Sequence, residues 1–447
     1  MQAAARQQAK VIVGLGKTGL SYVRYLARQN ETFTVVDSRE HPPGLQELTQ
    51  NFPEVKVELG AFNAKTFLNA SELLVSPGVD LREPVLAQAI GQGVPVTGDI
   101  NIFAQTVSSP IIAITGSNAK STVVSLVGAM AEKAGVNAVV AGNIGKPVLD
   151  LLAETAAELY VLELSSFQLE TTSKLGAEVA CVLNVTTDHM DRYDSIQDYY
   201  AAKHRIFQAC RQAVVNRDDP LSKPLLPASV KQWTYGLEAG DFNEFGLIED
   251  RGELYLAFNR QALMPAREVK LSGRHNLSNA LAALAIGHAV GLEMPAMLQT
   301  LKEFAGLPHR CQWVSDIAGV SYYNDSKGTN VGACNAALRG LGQSNNVILL
   351  AGGQGKGADF SDLGEALSTH GKLLIVFGED ADLIAAALQK VITTEKVGSL
   401  EAAVKLASEQ SETGDIVLLS PACASFDMFE NYEKRGEAFM AAVEALH

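Results

Sequence analysis

The stretch ITGSNAKST, from Ile114 to Thr122, closes an apolar run and opens a helical one, which is where a chain builds a phosphate-binding loop. A lysine and a hydroxyl at the mouth of a helix are the groups that neutralise and orient a triphosphate. The general pattern GxxxxGK[ST] is missed twice, because Ile114 and Ala119 stand where it has glycine. On these residues alone the stretch fits an ATP loop or an ordinary strand–turn–helix. In the second case Lys120 is a solvated lysine and Ser121 a helix cap. Two further apolar runs end in polar clusters. LYVLEL carries Glu163 and leads into SSFQLE, and VACVLNV leads into TTDHMDRY with His189. Ligands of an open parallel sheet sit beyond the carboxyl ends of its strands, so these three ends are expected to converge. Phosphate loop, acid and His/Asp cluster on one rim are what metal–nucleotide chemistry requires.

Positioning such groups takes alternating strands and helices, and the chain supplies them in three sections. The first opens with KVIVGLGKTGLSYVRYLARQN and reaches TFTVVDSRE, with Gly14, Gly16 and Gly19 spaced as in a βαβ nucleotide fingerprint and Asp37 after the second strand. That carboxylate suits a ribose hydroxyl, and a later strand ends in the turn Ser76-Pro77-Gly78. Which nucleotide is held is not settled by the fingerprint. The second section has the helix VVSLVGAMAEKAG after the loop, with Gly135 as its C-cap. In SIQDYYAAKHRIFQAC the apolar stripe Ile196, Tyr199, Tyr200, Phe207, Cys210 passes through Lys203, a lysine that must snorkel or meet an anion. The third section, after GLPHRC, repeats the pattern in NVILLAGGQGKGADF, KLLIVFGED and DIVLLSPACASFD. The expected fold is three α/β domains over residues 1–98, 99–308 and 309–447 of the 447.

A net charge of −14 argues against a nucleic-acid binder, although local basic clusters can still grip a small anion. Five scattered cysteines without a CxxC pair argue against a disulfide framework or zinc site and fit a cytoplasmic protein. No apolar run of about 18 residues is present, so no membrane insertion is expected.

The stretch TGSNAKST resembles TGSNGKST, the ATP loop of the Mur ligases, which uses the shorter spacing GxxGK[ST]. GNIGKP, LELSSFQLE, NVTTDHMDRY, AAKHRIF, LSGRHNLSNALAA, GLPHRCQ, NDSKGTN, GGQGKGADF and SPACASFDMF follow in that family's order along essentially the whole chain. The resemblance implies an ATP- and magnesium-dependent ligase of three domains. These are a Rossmann-like UDP-binding domain, a central P-loop ATPase-like domain and a C-terminal Rossmann-like domain that binds the amino acid. Among the members it points to D-glutamate as the added amino acid and UDP-N-acetylmuramoyl-L-alanine as the acceptor, joined through an acyl phosphate. It assigns Gly116, Ser117, Asn118, Ala119, Lys120, Ser121 and Thr122 to the phosphates, with Asn279, Arg310 and Asp325 handling the rest of ATP. Ser121 and Glu163 would hold one magnesium ion, and His189 and Lys203 a second, Lys203 as a carbamate. Lys327 matches a lysine near the reacting carboxylate. Lys17, Thr18, Asp37, Ser38, Arg39 and Gly78 match uridine and diphosphate contacts; Asn143 and His189 face the sugar–alanine end. Thr329, Lys356, Ser425 and Phe426 match D-glutamate positions, as does Tyr432, where other members carry Phe. Ala119 begins a helix, so a negative φ and a need for smallness alone are expected there.

The rival readings are a sister Mur ligase or a folylpolyglutamate-synthase-like ligase, an NAD-dependent oxidoreductase resting on residues 14–37, and a non-catalytic nucleotide sensor. The second leaves Lys120, Glu163 and His189 without a role, and the third makes Ala119 the mark of a decayed site. A monomer whose third section closes on the others is expected.

Overall fold

The computed structural model describes residues 9–271 and 273–446. Its first sheet has five parallel strands in the order Lys56–Leu59, Phe33–Asp37, Lys10–Val13, Leu73–Val75 and Val96–Thr97. The order reverses beside Lys10–Val13, which opens a crevice at its carboxyl end. Two of the fingerprint glycines are required by geometry. Gly14 has φ +93°, and a Cβ on Gly19 would sit 2.0 Å from the Gly14 carbonyl oxygen, so helix Lys17–Arg28 could not seat with a larger residue. Gly16 meets nothing within 4 Å and leaves the rim open.

The second sheet has nine strands, in the order Gln261–Pro265, Glu253–Phe258, Glu244–Asp250, Lys231–Tyr235, Gln212–Asn216, Val179–Val182, Ile111–Thr115, Leu159–Glu163 and Ala138–Gly142. Strands from Glu244–Asp250 onward are parallel. Strand Ile111–Thr115 is buried on both faces, Ala113 toward one apolar cluster and Ile112 and Ile114 toward another. Helices Lys120–Lys133 and Arg274–Ala289 cover the latter face. Gly135, at φ +78°, ends the first of them. Strand–helix alternation does not hold throughout this section. Residues 244–265 form an antiparallel meander, because Arg251-Gly252 and Asn259-Arg260 take consecutive positive φ values, the backbone of tight hairpin turns.

The third sheet runs Gln312–Ile317, Val320–Asn324, Ile416–Leu419, Val347–Gly352, Gly371–Phe377 and Thr394–Lys396, parallel except for its first pair. Fully buried Arg435 donates to the carbonyls of Ser326, Gly352, Cys423 and Ala424 and to Ser326 Oγ. Burial lowers its pKa to about 10, so it remains a cation that ties three strand ends together. The first two sheets share a continuous apolar cluster that includes Ile12, Leu15, Phe103 and Leu162. Arg24 reinforces that seam with two bonds to the Asp150 carboxylate, at 2.9 and 2.6 Å. The strand ends Thr115, Glu163 and Val182 thus lie side by side, with the third sheet's loops against them.

Candidate active site

The loop Gly116–Ala119 is braced across the neighbouring strand end. Ser117 N–H donates to the Asn184 carbonyl (2.9 Å), Asn118 N–H to Asn184 Oδ1 (2.8 Å), and Ser117 Oγ to the Thr186 carbonyl (2.9 Å). With those two N–H groups engaged, the donors left for an anion are the first-turn N–H groups of helix Lys120–Lys133, which have no intrahelical acceptor. The bracing also fixes Ala119 at φ +65°, ψ −1°, a left-handed conformation. The expectation of negative φ there is therefore wrong. The position favours glycine for its conformation, and Ala119 holds it at a cost of about 1 kcal/mol. Ala119→Gly is expected to raise stability to urea by roughly 0.5 kcal/mol, the relief of strain exceeding the gain in unfolded-state entropy. A lower unfolding midpoint in the variant would show instead that the methyl's packing against the core outweighs its strain.

Lys120 Nζ turns back to donate to the carbonyls of Gly116 (2.7 Å) and Ser117 (2.9 Å). Lys203, 1% exposed, sends its Nζ to the same Gly116 oxygen at 2.9 Å and lies 4.3 Å from the Tyr199 ring centroid. It does not snorkel. Burial depresses the pKa of both lysines, that of Lys203 well below the ordinary range because Lys120 adds like-charge repulsion. Glu163 and Asp188 pull the other way on both.

Glu163 is 2% exposed. Its Oε1 accepts from Asn143 Nδ2 at 2.8 Å, while Oε2 is buried without a hydrogen-bond partner. A buried, unpaired carboxylate oxygen is costly unless a ligand completes it. An acid oxygen beside a loop hydroxyl is the hard donor set magnesium prefers, so the residues present fit that ion. Ser121 Oγ accepts from Arg310 at 2.8 Å, which brings the third sheet's guanidinium onto the loop.

His189 stands at φ +57°, its N–H held by Asp188 Oδ1 at 2.9 Å and its ring edge-on to Phe167 at 4.9 Å. Burial lowers its pKa, Asp188 opposes, and Lys356, Lys120 and Lys203 lower it further. Lys327 lies 3.8 Å over the Tyr432 ring, and its pKa falls to about 8 through burial and the nearby Arg310. Asp325 accepts from Cys311 N–H (3.1 Å) and Ser420 Oγ (2.7 Å), and burial lifts its pKa to about 6. Lys120, Glu163, His189, Lys203, Arg310, Lys327 and Lys356 therefore form one electrostatic cluster. Asn143 joins it through Glu163.

Other sequence-selected residues make contacts of their own. Asp37 is buried and takes Leu15 N–H at 2.7 Å together with three donors of Arg39, so its oxygens are already engaged. Lys17, Ser38, Arg39 and Gly78 are exposed around the first sheet's crevice, with Thr18 half-buried. Asn279 pairs with Asn276 on helix Arg274–Ala289. Ser425 is buried, Phe426 is 66% exposed and Thr329 is half-buried on the third sheet's rim. Two groups were not selected from sequence. Asp188, adjacent to His189, faces both lysines, and Asn330 Nδ2 donates to Asp188 Oδ2 (3.1 Å) and Asn118 Oδ1 (3.2 Å). Both lie inside motifs already noted, TTDHMDRY and NDSKGTN, and the adjacency of an acid to His189 was the available signal.

A phosphate loop capped by cations from a third α/β unit defines a nucleotide-dependent enzyme with a site shared between units. Family models agree on the class: the Mur ligase middle domain matches residues 114–287, the Mur ligase MurD-like N-terminal domain 8–98, and the Mur ligase glutamate ligase domain 309–423. The chain belongs to the Mur ligase family. It is 55% identical over 448 aligned positions to a UDP-N-acetylmuramoylalanine–D-glutamate ligase of Pseudomonas aeruginosa, covering 100% of both chains. It is 49% identical to the enzyme of that name from Hahella chejuensis, again over 100% of both. Among solved structures, a pseudomurein peptide ligase type C from Methanothermus fervidus shares the fold at TM-score 0.63 and 17% identity, covering 98% of this chain and 100% of that one. UDP-N-acetylmuramate-alanine ligase MurC from Thermotoga maritima does so at TM-score 0.60 and 18% identity, with the same coverage. Among the described residues no helix is long and apolar enough to cross a membrane.

Proposed function

We propose that this chain joins D-glutamate to UDP-N-acetylmuramoyl-L-alanine with ATP as the energy source, a step of peptidoglycan precursor synthesis. The observation that carries the chemistry is the unpaired, buried Glu163 Oε2 beside the phosphate loop and two lysines. The amino acid follows from the full-length relatives, whose name specifies D-glutamate.

Amide formation in water needs a carboxylate oxygen made into a leaving group. The alanine carboxylate attacks the γ-phosphorus, ADP leaves, and an acyl phosphate forms. The amine of D-glutamate then attacks the carbonyl carbon, and phosphate departs with one of the original carboxylate oxygens. The protein's work in such a transfer is positioning and charge neutralisation. Lys120 would exchange its two carbonyl acceptors for the β- and γ-phosphates, joined by the first-turn N–H groups. Arg310 would move with the third unit onto the phosphates, Asn279 and Asp325 would hold adenine and ribose, and Lys327 would neutralise the reacting carboxylate. Thr329, Lys356, Ser425, Phe426 and Tyr432 would take the two carboxylates of D-glutamate, Lys356 being one of the cations that lower the His189 pKa. Lys17, Thr18, Ser38, Arg39 and Gly78 would receive the uridine diphosphate, with Asp37 acting through Arg39. Asn143 and His189 would face the sugar–alanine end.

Magnesium, when bound, polarises phosphoryl oxygens and offsets their charge. Ser121 and Glu163 would hold one ion, His189 and a carbamylated Lys203 a second. Carbamylation forms an N–C bond between a neutral amine and CO2 with loss of a proton, and the depressed pKa of Lys203 favours that neutral amine. The reading extends to units spanning 1–98, 99–308 and 309–447, a monomeric state and a cytoplasmic location.

The test is phosphate release from Mg·ATP and UDP-N-acetylmuramoyl-L-alanine with D-glutamate, L-glutamate, meso-diaminopimelate or no amino acid. Release is expected with D-glutamate. Release supported only by another amino acid would move the chain to a sister ligase, and none with any would revive the decayed-site reading.

A further inference from the structure

Arg192 lies three residues beyond His189 and outside every role assigned so far. Its side chain is only 15% exposed and reaches across the seam between the first and second units. Nε lies 3.3 Å from Asp80 Oδ2, and one terminal nitrogen donates to the Val79 carbonyl at 3.4 Å. These are the residues directly after the exposed Gly78 turn, at the carboxyl end of strand Leu73–Val75. The same guanidinium lies 4.3 Å from the Phe167 ring centroid, and Phe167 is the ring on which His189 rests edge-on at 4.9 Å. One cation thus touches the substrate-side turn with its edge and the support of His189 with its face.

The backbone around His189 gives this contact a purpose. A non-glycine residue at φ +57° persists only where its surroundings hold it. Part of that hold is local, since Arg192 N–H and Tyr193 N–H both donate to the His189 carbonyl, at 2.9 and 3.2 Å. Asp188 Oδ1 also takes the His189 N–H, at 2.9 Å, and a further restraint comes from the first unit. Arg82 also crosses to this loop, bonding Asp194 Oδ1 at 3.0 Å and the Asp191 carbonyl at 3.3 Å while its own fork grips Asp80. Residues 191–194 are therefore tied to residues 79–82.

We infer that Arg192 is a positioning residue that couples occupancy of the Gly78 turn in the first unit to the placement of His189 in the second. Substrate seated on the turn fixes Val79 and Asp80, these fix Arg192, and Arg192 with Phe167 fixes the imidazole. The coupling is reciprocal by linkage, so ligand at the phosphate loop tightens the UDP end as well. The inference rests on the proposed use of the first unit for the UDP substrate.

The test is calorimetric binding of UDP-N-acetylmuramoyl-L-alanine, with and without Mg·ADP, to the wild-type chain and to Arg192→Met, Phe167→Leu and Arg192→Lys. In the wild type Mg·ADP is expected to tighten binding, and Arg192→Met should reduce that tightening by about tenfold. Phe167→Leu should reduce it similarly while leaving Asp80 its cation, and Arg192→Lys should fall between. A merely structural arginine would weaken both affinities together and leave their ratio unchanged, which overturns the inference. So does a wild type in which Mg·ADP has no effect. A folded wild type that does not bind the UDP substrate at all would overturn the functional reading and this inference with it.

Discussion

Lys203→Met is expected to lower turnover by about a thousandfold while raising the melting temperature of the ligand-free protein. The two effects have one origin. Lys203 is buried against Gly116 and beside Lys120, so its ammonium is held where desolvation and like charge both oppose it. A methionine of similar length fills the space without a charge, and the Gly116 carbonyl keeps its bond from Lys120 at 2.7 Å. The gain should be about 1 kcal/mol at neutral pH, or about 2 °C. The sign of the pH dependence follows. The folded pKa is depressed, so the unfolded chain binds a proton that the native chain releases. Native stability rises with pH from the folded value up to the ordinary one near about 10.4. The variant should lose that slope and keep its advantage at low pH, which thermal melts at several pH values would reveal. A destabilised Lys203→Met chain would mean that the lysine is structural.

Glu163→Gln is expected to cut kcat by about a hundredfold or more and to raise the magnesium concentration needed for half-maximal rate. The amide keeps the shape and can keep the partner Asn143, but it removes the charge of the unpaired oxygen. It also removes an anion that raises the pKa of Lys120, Lys203 and Lys327, so these lysines should lose protons at lower pH than in the wild type. The kinetic signature is a split: kcat falls and magnesium affinity weakens, while the KM for UDP substrate, whose diphosphate end the proposed reading places on the first unit, changes little. Equal loss in every parameter would assign Glu163 to scaffolding.

Much of this site is legible in the sequence. Ile111–Thr115, Leu159–Glu163 and Val179–Val182 read as buried strands because each is continuously apolar, and the sheet rule then brings Lys120, Glu163 and His189 together. Gly14 and Gly19 announced the helix–strand approach that a Cβ would block. What failed was non-local. The sign of φ at Ala119 is imposed by Asn184 and Thr186, some 65 residues away, and helix propensity carries no trace of them. The 244–265 meander broke the strand–helix pattern through two turns whose glycine and asparagine were visible but unweighted. Asp188, Asn330 and Arg192 acquire roles only once separate units pack, and the burial of Arg435 among carbonyls is likewise a product of packing.

The proposed reaction places an acyl phosphate of the alanine carboxylate between ATP and the new amide. The direct measurement uses UDP-N-acetylmuramoyl-L-alanine with both carboxylate oxygens labelled as 18O, turned over with Mg·ATP and D-glutamate. One labelled oxygen is predicted to appear in inorganic phosphate and the other to stay in an amide product heavier by the D-glutamyl residue. Phosphate released without label, alongside the same product, would contradict it.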